Sequence, residues 1–66
     1  MVHVRFEGRS LDLLENEIGI GHGSTDKQVK ARVANYLEVK PSALNGYVVD
    51  RTSTGNMILR PEAVYG

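Results

Sequence analysis

Sixty-six residues leave room for one domain spanning positions 1–66, and a chain of that length buries only about 60% of the surface its unfolded form exposes. Eight Lys plus Arg balance eight Asp plus Glu, so no global field draws the protein to nucleic acid or anionic lipid. The lack of cysteine excludes disulfides and thiolate metal sites, and no apolar run is long enough for a membrane span or a signal core.

The chain opens with Val2, Val4 and Phe6 alternating with His3 and Arg5, the period-two pattern of a strand with one buried face. Glu7-Gly8-Arg9 supplies a turn, and Leu11 and Leu13 then alternate with Ser10 and Asp12. Residues 2–13 therefore read as a β-hairpin. Residues 14–23 form a glycine-rich connection, longer than the typical ~4–6 residues, in which Ile18 and Ile20 are expected to anchor the chain to the core.

Thr25 and Gln28 have the spacing of a capping box, in which each side chain satisfies a backbone N–H of the other residue. A helix should run from there to about Glu38. Val29, Val33, Tyr36 and Leu37 recur at spacings of three and four and define its buried stripe. Asp26 suits the positive helix start, and Pro41 disfavours helix at Lys40. Pro41-Ser42-Ala43-Leu44 reads as a tight turn that places Leu44 on the core.

Tyr47-Val48-Val49 and Met57-Ile58-Leu59, separated by the polar turn Thr52–Asn56, read as a second hairpin over residues 47–60. Its alternation leaves open whether Val48 or Val49 faces inward, and a slip of one residue exchanges the two faces. Pro61 ends the last strand. Two strand pairs flanking one helix specify an α+β, two-layer domain with a mixed four-stranded sheet and the helix on one face. The economical arrangement sets the first and last strands side by side and parallel.

With this element order, Thr25–Val33 resembles the start of the ubiquitin helix, and Val39–Leu44 resembles the proline turn that follows it. The chain thus resembles the ubiquitin-like β-grasp group, a ββαββ fold. The resemblance implies a non-enzymatic module that engages a protein partner. It also implies an alternative, a carrier or modifier activated at the terminal carboxylate of Gly66 by an E1-like enzyme. Ubiquitin and the small sulfur carriers end in Gly-Gly, whereas this chain ends Tyr65-Gly66.

Catalytic chemistry finds few residues to work with. His3, on the outer side of the first strand, and His22, in the loop, are the two imidazoles, and both are expected to be solvated. Glu15 and Glu17 lack a pocket of the kind that raises a carboxyl pKa. His22, Asp26 and Glu17 match no metal-ligand spacing, and Gly19, Gly21 and Gly23 fall short of a phosphate-binding G-x-G-x-x-G because Ser24 occupies the last position. We therefore expect no catalytic site, metal or cofactor. Arg5, Arg9, Arg51 and Arg60 lie on or beside strands, but Glu7, Asp12 and Asp50 interrupt them and only Tyr47 is an aromatic expected on the exposed sheet, which disfavours nucleic acid. The expected binding face comprises His3, Arg5 and Arg51. A cytoplasmic protein is expected from the lack of cysteine and of a signal core, and unprotected sheet edges make homodimerisation a further expectation.

Overall fold

The computed structural model describes residues 1–21 and 23–62. They form strands β1 (Val2–Phe6) and β2 (Arg9–Leu13), helix α1 (Asp26–Leu37), and strands β3 (Tyr47–Arg51) and β4 (Met57–Pro61). The fold is α+β, with one helix and one mixed sheet of order β2-β1-β4-β3. β1 runs parallel to β4 through the pairs Val2↔Met57, His3↔Ile58 and Val4↔Leu59, while β2 and β3 pair antiparallel outside them.

Both hairpin turns pass through positive-φ backbone, with a glycine in each. Between Phe6 and Arg9, Glu7 and Gly8 have φ of 49° and 77°, the left-handed pair of a two-residue type I′ turn whose twist matches its strands. In the second hairpin Thr52 binds Asn56 backbone to backbone at 2.8 Å, and Gly55, at φ 88°, lets the chain return.

The capping box forms as its residues predict: Thr25 Oγ1 accepts from the Gln28 backbone N–H at 3.2 Å, and Gln28 Oε1 accepts from the Thr25 N–H at 2.8 Å. At the other end Glu38 adopts the left-handed conformation, φ 59° and ψ 39°, and the following Val39 N–H reaches the Ala34 carbonyl at 3.0 Å. That reversal ends the helix ahead of Lys40-Pro41, as the proline requires. It costs a non-glycine residue roughly 1–2 kcal/mol in backbone strain.

The buried helix stripe is rotated from the expected one. Val29, Val33 and Ala34 are buried and Leu37 is half-buried, whereas Tyr36 is 49% exposed. At ~100° per residue Tyr36 stands about 90° from the centre of the buried set, so its ring lies along the side of the helix. The core between helix and sheet contains Val2, Val4, Phe6, Leu13, Ile18, Leu44, Met57 and Leu59 as well, and no polar or charged side chain is buried among the described residues. Ile18 and the partly buried Ile20 fasten the long connection as expected, helped by a 3₁₀ turn at Glu15–Glu17 and a bond from the Ile20 N–H to the Glu15 carbonyl at 3.0 Å. Leu44, fully buried, closes the core from the 3₁₀ turn Pro41–Leu44.

Truncation at Leu44 tests how little margin such a core leaves. Leu44→Ala should cost about 2–5 kcal/mol, comparable with the roughly 3–5 kcal/mol a single core of this size supplies. Thermal unfolding followed by circular dichroism should show the variant largely unfolded at 25 °C, while Ala43→Ser, at an exposed position of the same turn, should melt like the parent.

Candidate functional site

The register fixes which side chains the helix leaves uncovered. Val2, Val4, Phe6, Leu13, Met57 and Leu59 point to the helix, so their strand neighbours point away. Along one row across the sheet the open face presents Asp12, His3, Ile58 and Asp50, and along the next Ser10, Arg5, Arg60 and Val48. The ambiguity in β3 is thereby resolved: Val49 pairs with Leu59 and packs on the core, and Val48 faces outward opposite Arg60.

Two cross-strand side-chain pairs lie on this face. His3 Nδ1 and Asp12 Oδ1 are 2.5 Å apart across β1 and β2, and Arg60 Nε donates to Asp50 Oδ2 at 2.7 Å across β4 and β3. The Arg5 side chain, exposed between them, makes no hydrogen bond or ion pair among the described residues. Ile58 and Val48, both half-buried, are the apolar members of the two rows.

Of the three residues expected on the binding face, His3 and Arg5 are there and Arg51 is not. Arg51 pairs with Met57, so its side chain leaves on the helix side. There its guanidinium donates to the Ser24 carbonyl at 2.7 Å and to Asp26 Oδ1 at 2.9 Å. Arg51 thus ties the end of β3 to the first turn of the helix, where Asp26 already meets the positive end of the helix dipole. Its correct face depends on the parity of β3, the one feature the valine pair concealed.

Tyr47 is also displaced from the expected position. It packs on the helix side against Phe6, with ring centroids 5.9 Å apart and planes tilted by 41°. Among the described residues the open face therefore carries no aromatic platform on which a base would stack. Glu17 and Asp26 join no metal-ligating group of three among the described residues, and Asp26 is committed to Arg51. His22 and Gly66 lie outside the described residues.

The remaining strand arginines do come together. Arg5, Arg9 and Arg60 line one groove of about 450 Å³ at the far end of the sheet, beside the Glu7-Gly8 turn and the departing Glu62. Its signal in the sequence was the arginine set itself, from which the fold removes only Arg51. Both sheet edges carry exposed charges, Arg9 and Asp12 on β2 and Asp50 and Arg51 on β3, which blunt edge-to-edge pairing. Among the described residues no helix is long and apolar enough to cross a membrane.

No protein-family model matches the chain, and no match is found among curated proteins or solved structures.

A structural role for Arg51 has a measurable size. Arg51 and Asp26 are 39% and 60% exposed, so their pairing should contribute at most about 1 kcal/mol. A double-mutant cycle with Arg51→Ala and Asp26→Ala, read by urea unfolding, should give a coupling energy in that range that shrinks with added salt.

Proposed function

We propose that the chain is a small ubiquitin-like β-grasp module with no catalysis of its own, which binds a protein partner through its open sheet face. The observation that carries this reading is the uncovered face itself. One helix covers one side of the sheet, and the other side presents Arg5, which has no side-chain partner among the described residues, between the His3–Asp12 and Arg60–Asp50 pairs.

The physical case is one of fixed cost and available contacts. A face carried on paired strands is already ordered, so a partner docking on it loses little conformational freedom in this protein. Ile58 and Val48 offer apolar area, while the His3–Asp12 and Arg60–Asp50 pairs form a hydrogen-bonded polar surround. The α+β architecture, the central parallel strands and the helix on one side support the β-grasp assignment, which describes a scaffold and leaves the role to its surface.

Placement of a photo-crosslinking residue tests the reading. At Ser10, on the open face, it should yield adducts of discrete mass in native cells, and at Lys27, on the exposed helix surface, it should yield none. Adducts formed from Lys27 alone would overturn the assignment of the binding face.

A further inference from the structure

The groove at the end of the sheet is lined by Arg5 of β1, Arg9 of β2 and Arg60 of β4; Arg5 and Arg60 stand on the open face, whereas Arg9, paired with Phe6, leaves its strand on the helix side. The parallel ladder between β1 and β4 ends at Val4↔Leu59. One residue further along both strands stand Arg5 and Arg60, on the same open face and on neighbouring strands, whose spacing is ~4.8 Å. Like charges opposite each other on neighbouring strands repel, and one anion between them satisfies both. Arg60 spends its Nε on Asp50 and one Nη1–H on the Pro61 carbonyl at 3.4 Å, which leaves N–H groups free. The side chains of Arg5 and Arg9 make no hydrogen bond or ion pair among the described residues.

The surroundings select the kind of anion. Glu7 and Glu62 line the same groove without pairing to its arginines, and Asp50 flanks it through Arg60. A phosphate backbone running across the site would meet these carboxylates in succession. A single carboxylate entering between Arg5 and Arg60 avoids them and meets planar donors whose fork matches its two oxygens. From that point the row leads to Val48 opposite Arg60, with Ile58 in the adjacent row, so the neighbouring side chain of the ligand meets apolar surface.

We infer that this groove binds an acidic side chain of a partner peptide, with Arg5 and Arg60 clamping one Asp or Glu carboxylate and Val48 and Ile58 receiving an adjacent apolar residue. The inference rests on the open-face reading and adds the chemistry of the partner. Arg5 supplies the larger share of the clamp because Arg60 is already ion-paired with Asp50, whereas Arg5 makes no ion pair among the described residues. The Ser10 hydroxyl, opposite Arg5 on the same face, provides a further donor to the same oxygens.

The test is an NMR titration of the full ¹⁵N-labelled chain with an acetylated, amidated octapeptide of alanine and serine carrying one central glutamate flanked by valines. Shifts should concentrate on Arg5, Ser10, Val48 and Arg60, including the arginine Nε–H signals, and should vanish when glutamine replaces the glutamate. Arg5→Gln should weaken binding about 10-fold or more, the loss that follows from removing one charge-assisted hydrogen-bonding partner. Arg5→Lys should recover only part of that affinity, since a point charge replaces the fork. Arg5 is exposed and unpaired, so an unchanged dispersion of amide signals should show both variants folded. Equal binding of the glutamine peptide, shifts centred elsewhere, or tighter binding of an oligothymidylate at the same ionic strength would overturn the inference. If Ser10 crosslinks a native partner whose binding ignores Arg5→Gln, the carboxylate clamp fails and the open-face reading stands.

Discussion

The pairing of β1 with β4 joins the two ends of the described chain, Val2 to Met57 and Val4 to Leu59, in parallel register at the centre of the sheet. Parallel neighbours need a crossover, and the helix supplies it, so the same contact that closes the sheet also presses α1 onto one face. Each outer strand is then placed by its own hairpin. The cost is entropic: the contact closes a loop of nearly the whole described chain, which makes it strongly non-local. What holds it is apolar burial, since Val2, Val4, Met57 and Leu59 are all in the core and no buried charge competes with them.

Charge is handled in pairs at the surface, and each pair joins separate segments of the chain. His3 with Asp12 spans β1 and β2, Arg60 with Asp50 spans β4 and β3, and Arg51 with Asp26 spans sheet and helix. Exposed pairs of this kind contribute little to stability. On the open face Arg60 is engaged with Asp50, and Arg5 has no side-chain partner among the described residues.

Much of the architecture was legible because local and long-range preferences agree. The alternation at Val2–Phe6 and the capping box at Thr25 and Gln28 each specify one structure, and the structure follows both. The second hairpin was less legible because Val48 and Val49 are equally apolar, so periodicity gives no parity. The parity comes from the Thr52–Asn56 turn, which sets Arg51 opposite Met57, and it moved Arg51 and Tyr47 off the expected open face. Tyr36 misled for a related reason. Its spacing fits a helical stripe, but the small Ala34 is buried in its place and Tyr36 is left exposed. The place of His3 and Arg5 on the open face was legible because they alternate with core residues, whereas Arg60 needed the parallel register to be placed beside Arg5.

The register between β1 and β4 therefore decides both the core and the open face, since a shift of one residue would exchange the two sides of β4. Interstrand contacts in a solution NMR spectrum measure it directly. Amide-to-Hα nuclear Overhauser effects should connect the strands in the parallel register His3↔Ile58 and Val4↔Leu59. Contacts displaced by one residue, or of antiparallel form, would contradict the placement of Arg5 beside Arg60 and with it the account of the site.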